Sequence, residues 1–325
     1  MLKLRQLVIL SSLTTAETLR QPVCLLLTLC CMVLITTVPL VTAHNFGEGG
    51  RLARDSGLAF HLMFGLFLGG YAACAALDRE RKSGTQAAVL SKPVERSVFF
   101  LAKFIGIAGV VLVFSASAAL ATLLAQRIAM KFSTETGLLA DNLTAWLTML
   151  CPIVACSIGG WASYRKRYTF QSTTMLLLPL LLASVATACG CFTRYGTWAP
   201  YHPQLQWQIV PASLLVTLGL IMLAAMALTL AVRLSLIPTV CICFILLLLG
   251  LASNYLFSQI GACWGLKRLL YILIPNWQHF WVADAIAGGG HIPMATITRT
   301  ALYAALYTSG ILCLGSTSFQ RAEVS

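Results

Sequence analysis

Eight long apolar stretches decide what this chain can fold into. Each is near or above the roughly 20 residues that a helix needs to cross the hydrocarbon core of a bilayer. Only 10% of the residues are charged and the mean hydropathy is +0.84, whereas about a quarter of the residues of soluble domains are charged. The sequence therefore predicts an all-α polytopic membrane protein, a single transmembrane domain over residues 1–325. The stretches cover residues 23–43, 57–77, 98–125, 143–163, 173–191, 210–232, 238–257 and 295–315.

The basic residues predict the orientation of these spans. The formal net charge is +12, a balance that could also indicate a nucleic-acid partner. Roughly two thirds of the 22 Lys and Arg residues, however, fall on one side of the predicted topology, and positive charge favours the cytoplasmic side. We therefore expect both termini in the cytoplasm and no nucleic-acid partner.

Residues 1–21 are too polar to cross the membrane and are patterned like a helix. Leucines recur near helical spacing, and Lys3, Arg5 and Arg20 add positive charge. The pattern predicts an amphipathic helix lying at the interface of the lipid bilayer. The alternative is a signal peptide, although the following apolar run is long for one.

Small residues in two spans predict close helix packing. Gly65 and Gly69 lie four residues apart in the second span, and Gly106 begins a small-residue face in the third. Small side chains let helix backbones approach each other closely in lipid.

The sequence offers little chemistry of its own. No carboxylate falls in the middle of a span, which weakens a proton- or sodium-coupled secondary carrier. The metalloprotease, serine-hydrolase and phosphate-loop motifs are absent from the sequence, and the five histidines are scattered. The cysteines fall mostly inside apolar spans, and a disulfide between Cys189 and Cys191, near an outer membrane edge, would be strained. We expect no enzyme activity and no catalytic, cofactor-binding or metal-binding residues in this chain.

The densest run of charge lies between the second and third spans, at residues 78–97. Gly84 and Pro93 bound a short helix-forming segment with a small apolar face. Topology alone would require the charges but not this order of residues. The run therefore suggests a contact surface for another protein on the cytoplasmic side.

This run resembles the first cytoplasmic loop of ABC-2 type transporter permeases. It is most similar to the branch that includes the permeases of nitrous-oxide reductase maturation and of bacterial gliding. The resemblance covers residues 1 to about 126 and about 209 to the end, including Ile274-Pro275-Asn276 before the last span. It implies six core spans, so that residues 143–191 would be an additional helical hairpin. The matching residues of the loop are Glu80, Gly84, Thr85, Leu90, Ser91, Lys92, Pro93, Val94, Arg96, Lys103 and Gly106.

The resemblance implies a half-transporter in a bacterial-type plasma membrane. Two permease subunits, identical or different, would pair around a path for export, and separate cytoplasmic ATPase subunits would bind ATP and Mg²⁺. The residues expected to couple this chain to the ATPase are Glu80, Gly84, Thr85, Leu90, Lys92, Pro93 and Arg96. A non-transporting membrane scaffold or assembly factor is the alternative, and a secondary carrier is a weaker one. Residues 257–293 would form the longest outer loop, and no feature of the spans indicates the substrate.

Overall fold

The computed structural model describes most of the chain. It covers residues 2–41, 49–83, 95–129, 132–134, 137–139, 141–192, 198, 205–253, 255, 274–283 and 292–321. Nine helices lie in these ranges: α1 Leu2–Leu19, α2 Pro22–Val41, α3 Gly49–Ser83, α4 Arg96–Ala129, α5 Asn142–Lys166, α6 Phe170–Gly190, α7 Ile209–Ala231, α8 Leu236–Leu251 and α9 Met294–Arg321.

All eight predicted apolar stretches form helices. Seven of them, all except α8, are long and apolar enough to cross a membrane. Helix α8 has 16 residues and ends at Leu251, and the predicted end of this stretch, Phe257, lies outside the described residues. The structure thus confirms a polytopic bundle of helices, in which α8 as described is shorter than a full span.

The centre of the bundle is formed by α3, α4 and α7. Helix α3 packs along both α4 and α7, and the α7 span is 72% buried. The hairpin of α5 and α6 packs on α4, whereas α9 packs on α7 and α4. Helix α9 is the most peripheral of the seven long spans, with 22% of its span buried.

Two short strands connect α4 to α5. Strands β1 Phe132–Thr134 and β2 Gly137–Leu139 pair antiparallel, with Phe132 opposite Leu139. The connection between α4 and α5 therefore contains a short antiparallel pair of strands.

The directions of the helices bring several helix ends to the same end of the bundle. We call the end of the bundle where α3 ends and α4 begins the loop end, and the other the far end. Helix α9 finishes at the loop end, because the carbonyl of Gln320 meets the Arg96 side chain there. The predicted interfacial segment at residues 266–273 and most of the predicted outer loop 257–293 lie outside the described residues.

Candidate functional site

The predicted coupling residues flank or occupy the connection between α3 and α4. Glu80 lies in the last turn of α3, and Arg96 is the first residue of α4. Gly84, Thr85, Leu90, Lys92 and Pro93 lie outside the described residues. Helix α3 includes residues 78–83 of the predicted coupling loop 78–97 and ends at Ser83.

Arg96 connects the start of α4 to the end of α9. Its Nη1 donates a hydrogen bond to the carbonyl oxygen of Gln320, at 2.8 Å. The last carbonyls of a helix lack partners within the helix and carry partial negative charge, so a guanidinium group stabilises them. A displacement of Arg96 would therefore act on α9 directly.

An aromatic cluster lies below this contact. Phe319 of α9 stacks on Phe99 of α4, with ring centroids 5.9 Å apart, and it meets Phe100 at 5.8 Å. Phe99 and Phe100 are each 1% exposed. Gly315 gives Phe100 the space that it occupies, since a Cβ atom there would lie 2.6 Å from its ring. The start of α4 and the end of α9 are therefore packed as one unit.

Two other cationic side chains form contacts at the loop end. Lys3 of α1 pairs with Glu95 at 2.5 Å, and both side chains are largely exposed. Arg233, two residues after α7, donates from Nε to the Ser318 hydroxyl at 3.2 Å. Helices α1, α4, α7 and α9 thus meet around the residues that flank the loop.

The three predicted packing glycines each lie against another helix. Gly65 faces Leu220 of α7, and a Cβ atom at Gly69 would lie 3.5 Å from that of Ala224. Gly106 faces α1, where a Cβ atom would lie 2.6 Å from Thr14 Cβ. The Gly106 carbonyl also accepts a hydrogen bond from the Thr15 hydroxyl at 3.0 Å. Helix α1 therefore packs directly on Gly106, and any side chain at this position would push α1 away from α4.

A buried ion pair at the far end is a feature that the sequence reasoning missed. Arg127 of α4 donates from Nε to Asp141 Oδ2 at 2.7 Å, and the two side chains are 3% and 4% exposed. The same guanidinium donates to the carbonyls of Cys189 and, at 3.0 Å, Phe192. Asp141 also accepts from the Thr144 amide as the N-cap of α5. One cation therefore joins the ends of α4 and α6 to the start of α5.

A second feature at the far end is the segment at residues 274–283, which enters the bundle. Trp277 is 1% exposed and packs against Gly219 of α7 and Gly250 of α8. Its Nε1 donates to the carbonyl of Leu246 at 3.2 Å. Asn276 accepts from the Gln278 amide, and its own amide donates to the Tyr303 hydroxyl. The sequence resemblance includes Asn276 but gives no sign of the two glycines that admit the indole.

The potential metal-ligating side chains of the described residues are dispersed. Within the described ranges, no three His, Cys, Asp or Glu side chains lie close enough to hold a metal ion. Cys189 and Cys191 are free thiols. What the described residues bring together is a set of helix ends around the α3–α4 connection.

Comparison with known families finds a match over part of the chain. Residues 20–170, just under half of the chain, match the family described as ABC-2 family transporter protein. This part of the chain is similar to the ABC-2 transporter family. No curated protein and no solved structure matches the chain.

The matched range refines one expectation. It includes α2 to α5 and the α3–α4 connection, and it continues to Phe170. The ABC-2 match thus covers α5, which the sequence predicts as part of an additional hairpin, and it does not reach residues 209–325. The ABC-2 assignment is confirmed, whereas the branch and the identity of the additional helices stay predictions.

Proposed function

We propose that this chain is the permease subunit of an ABC-2 type exporter. A separate ATPase subunit, carrying ATP and Mg²⁺, binds residues 78–97 on the cytoplasmic side and drives export by a paired arrangement of two permease subunits. The family match supports a membrane permease of an ABC transporter. The ATPase contact, the export direction and a bacterial-type plasma membrane follow from the resemblance of the loop and belong to the proposal.

The contact of Arg96 with α9 carries this proposal.

Residues 84–94 join two helices of 35 and 34 residues that pack along each other. Each is roughly 50 Å long at 1.5 Å per residue, while the hydrocarbon core is about 30 Å thick. Both helices therefore extend beyond the lipid. We place the charged residues 78–83, at the end of α3, in the water at the loop end.

These contacts give a route from the loop to three helices. A push on residues 84–94 acts on α3 and α4 through the backbone. It acts on α9 through the hydrogen bond from Arg96 to Gln320 and through the stacking of Phe99 on Phe319. Alternating access needs such a packing change with two discrete arrangements.

Co-purification with the ATPase subunit and measurement of ATP hydrolysis test the proposal. The variants Glu80→Gln and Arg96→Gln should bind less ATPase or lower its turnover by about tenfold, corresponding to one or two lost charged contacts. Arg299→Gln is the matched control, since it removes one exposed cation near the far end of α9. Its ATPase turnover should equal that of the unchanged protein.

The same experiment separates the alternative. A scaffold or assembly factor would be isolated without a nucleotide-binding subunit, and that result would contradict the exporter proposal. Unchanged binding and turnover in both loop variants would leave a transporter whose ATPase contacts lie elsewhere.

A further inference from the structure

Helix α5 exposes one long apolar face with a tryptophan near each end. Trp146 is 68% exposed and Trp161 is 58% exposed. They lie about 22 Å apart along the helix, and between them the face contains only apolar or small residues. Tryptophan is enriched at both interfaces of a bilayer. This face fits lipid, with Trp161 at the interface on the loop end. The large exposed residues of the face are Leu143, Trp146, Leu150, Ile153, Val154, Ile158 and Trp161.

A basic turn follows directly after Trp161. Arg165, Lys166 and Arg167 are all exposed, and Tyr164 and Tyr168 flank them with 90% and 60% exposure. Arg167 adopts the left-handed conformation, with φ 55°, that reverses the chain between α5 and α6. Over the described part of the chain, none of the three cations has an acidic partner. The turn therefore presents positive charge that has no acidic partner among the described residues.

The aromatic residues fix the depth of this charge. The Arg165 guanidinium lies 6.0 Å from the centre of the Trp161 ring, which places a cation at the same level as the interfacial indole. At the far end, Arg127 holds the start of α5 and the end of α6 on α4. The hairpin cannot slide along α4 without breaking that contact, so the turn stays at the level of the lipid headgroups.

We propose that the turn Tyr164–Tyr168 binds the headgroups of anionic lipids in the leaflet at the loop end. The phosphate groups accept hydrogen bonds from Arg165, Lys166 and Arg167, and the indole of Trp161 lies against the upper part of the acyl chains. Clusters of basic residues beside a transmembrane helix attract anionic lipids. This inference goes beyond the exporter proposal and does not depend on it.

Quenching of tryptophan fluorescence by brominated lipids tests the site. The full-length protein is placed in nanodiscs in which either phosphatidylglycerol or phosphatidylcholine carries brominated acyl chains, at equal mole fraction. The Trp161 signal is the difference between the unchanged protein and the Trp161→Phe variant. We expect phosphatidylglycerol to associate with Trp161 at least about fivefold more strongly than phosphatidylcholine does, the effect of one basic residue near an anionic surface, and Trp146 to show a ratio of about one.

The combined variant Arg165→Gln, Lys166→Gln and Arg167→Gln should lower the ratio at Trp161 to about one. Arg299→Gln, which removes an exposed cation from α9, should leave it unchanged. An unaltered thermal unfolding curve in pure phosphatidylcholine would show that the combined variant is folded. Added inorganic phosphate should not compete, because the site binds headgroups held in a membrane.

Equal association of the two lipids with Trp161 would overturn the proposal. A preference that survives in the combined variant would overturn it as well, since the cations would then serve only to orient the hairpin. Competition by inorganic phosphate would show a site for a free anion instead of a lipid.

Discussion

Arg127 Nε lies 2.7 Å from Asp141 Oδ2, and neither side chain is more than 4% exposed. The two residues bracket the β1–β2 connection, so their contact closes the chain between α4 and α5. The carbonyls of Cys189 and Phe192 complete the surroundings of the guanidinium. Three helix ends thus depend on one cation.

Replacing Arg127 by Met should destabilise the protein by about 3–5 kcal/mol, because Asp141 is left as a buried, uncompensated charge. The measurement is chemical or thermal unfolding of the purified protein in detergent. In the double variant Arg127→Met and Asp141→Leu much of this loss should be recovered, apart from about 1 kcal/mol for the N-cap of α5. A single variant within about 1 kcal/mol of the unchanged protein would contradict the contact.

The sequence could predict the spans but not this ion pair. Apolar length predicts where helices lie, and all eight stretches form helices. Hydropathy, however, ends the third span at Ala125 and so assigns Arg127 to the outer loop. Helix α4 continues to Ala129, and only the fold brings the carbonyls of α6 to the guanidinium. The sequence contains one sign of this ion pair. Arg127 lies near the end of a predicted span, and an acidic residue comes just before the next apolar stretch.

Replacing Gly106 by Val should displace α1 from α4. Its Cβ atom would lie 2.6 Å from Thr14 Cβ and 2.9 Å from the Ser11 carbonyl oxygen, so the helices must separate at a cost of about 1–3 kcal/mol. Hydrogen exchange of the α1 amides, followed by mass spectrometry, should become faster.

Gly310→Val is the control for this variant. A Cβ atom at Gly310 meets nothing within 4 Å, while the backbone cost of Val in a helix is similar. Exchange in α1 should be unchanged in the control. Equal protection of α1 in both variants would show that Gly106 does not seat this helix.

Replacing Gly250 by Ala should push Trp277 out of its position. The added Cβ atom would overlap the indole and the carbonyl oxygen of Pro275. Because the backbone of Pro275 cannot rotate away as a side chain can, we expect residues 274–283 to shift and the protein to lose about 1–3 kcal/mol. The fluorescence of Trp277, obtained by difference from Trp277→Phe, should move to longer wavelength. Gly160→Ala is the control, because its Cβ atom meets nothing within 4 Å, and it should leave the emission wavelength of Trp277 unchanged.

This indole marks a second limit of the sequence. Gly219 and Gly250 lie in different helices, and no spacing rule relates them to each other or to Trp277. Their relation arises from packing, since Trp277 lies against Gly219 of α7 and Gly250 of α8.

Replacing Lys3 by Gln should change stability by less than about 1 kcal/mol, even though Lys3 Nζ lies 2.5 Å from Glu95 Oε1. The side chains are 69% and 57% exposed, so water and salt screen the pair and its ordering costs side-chain entropy. Unfolding in detergent at low and high salt provides the measurement, and the small difference at low salt should vanish at high salt. A loss as large as that expected for Arg127→Met would mean that Lys3 is shielded from water in the intact membrane protein.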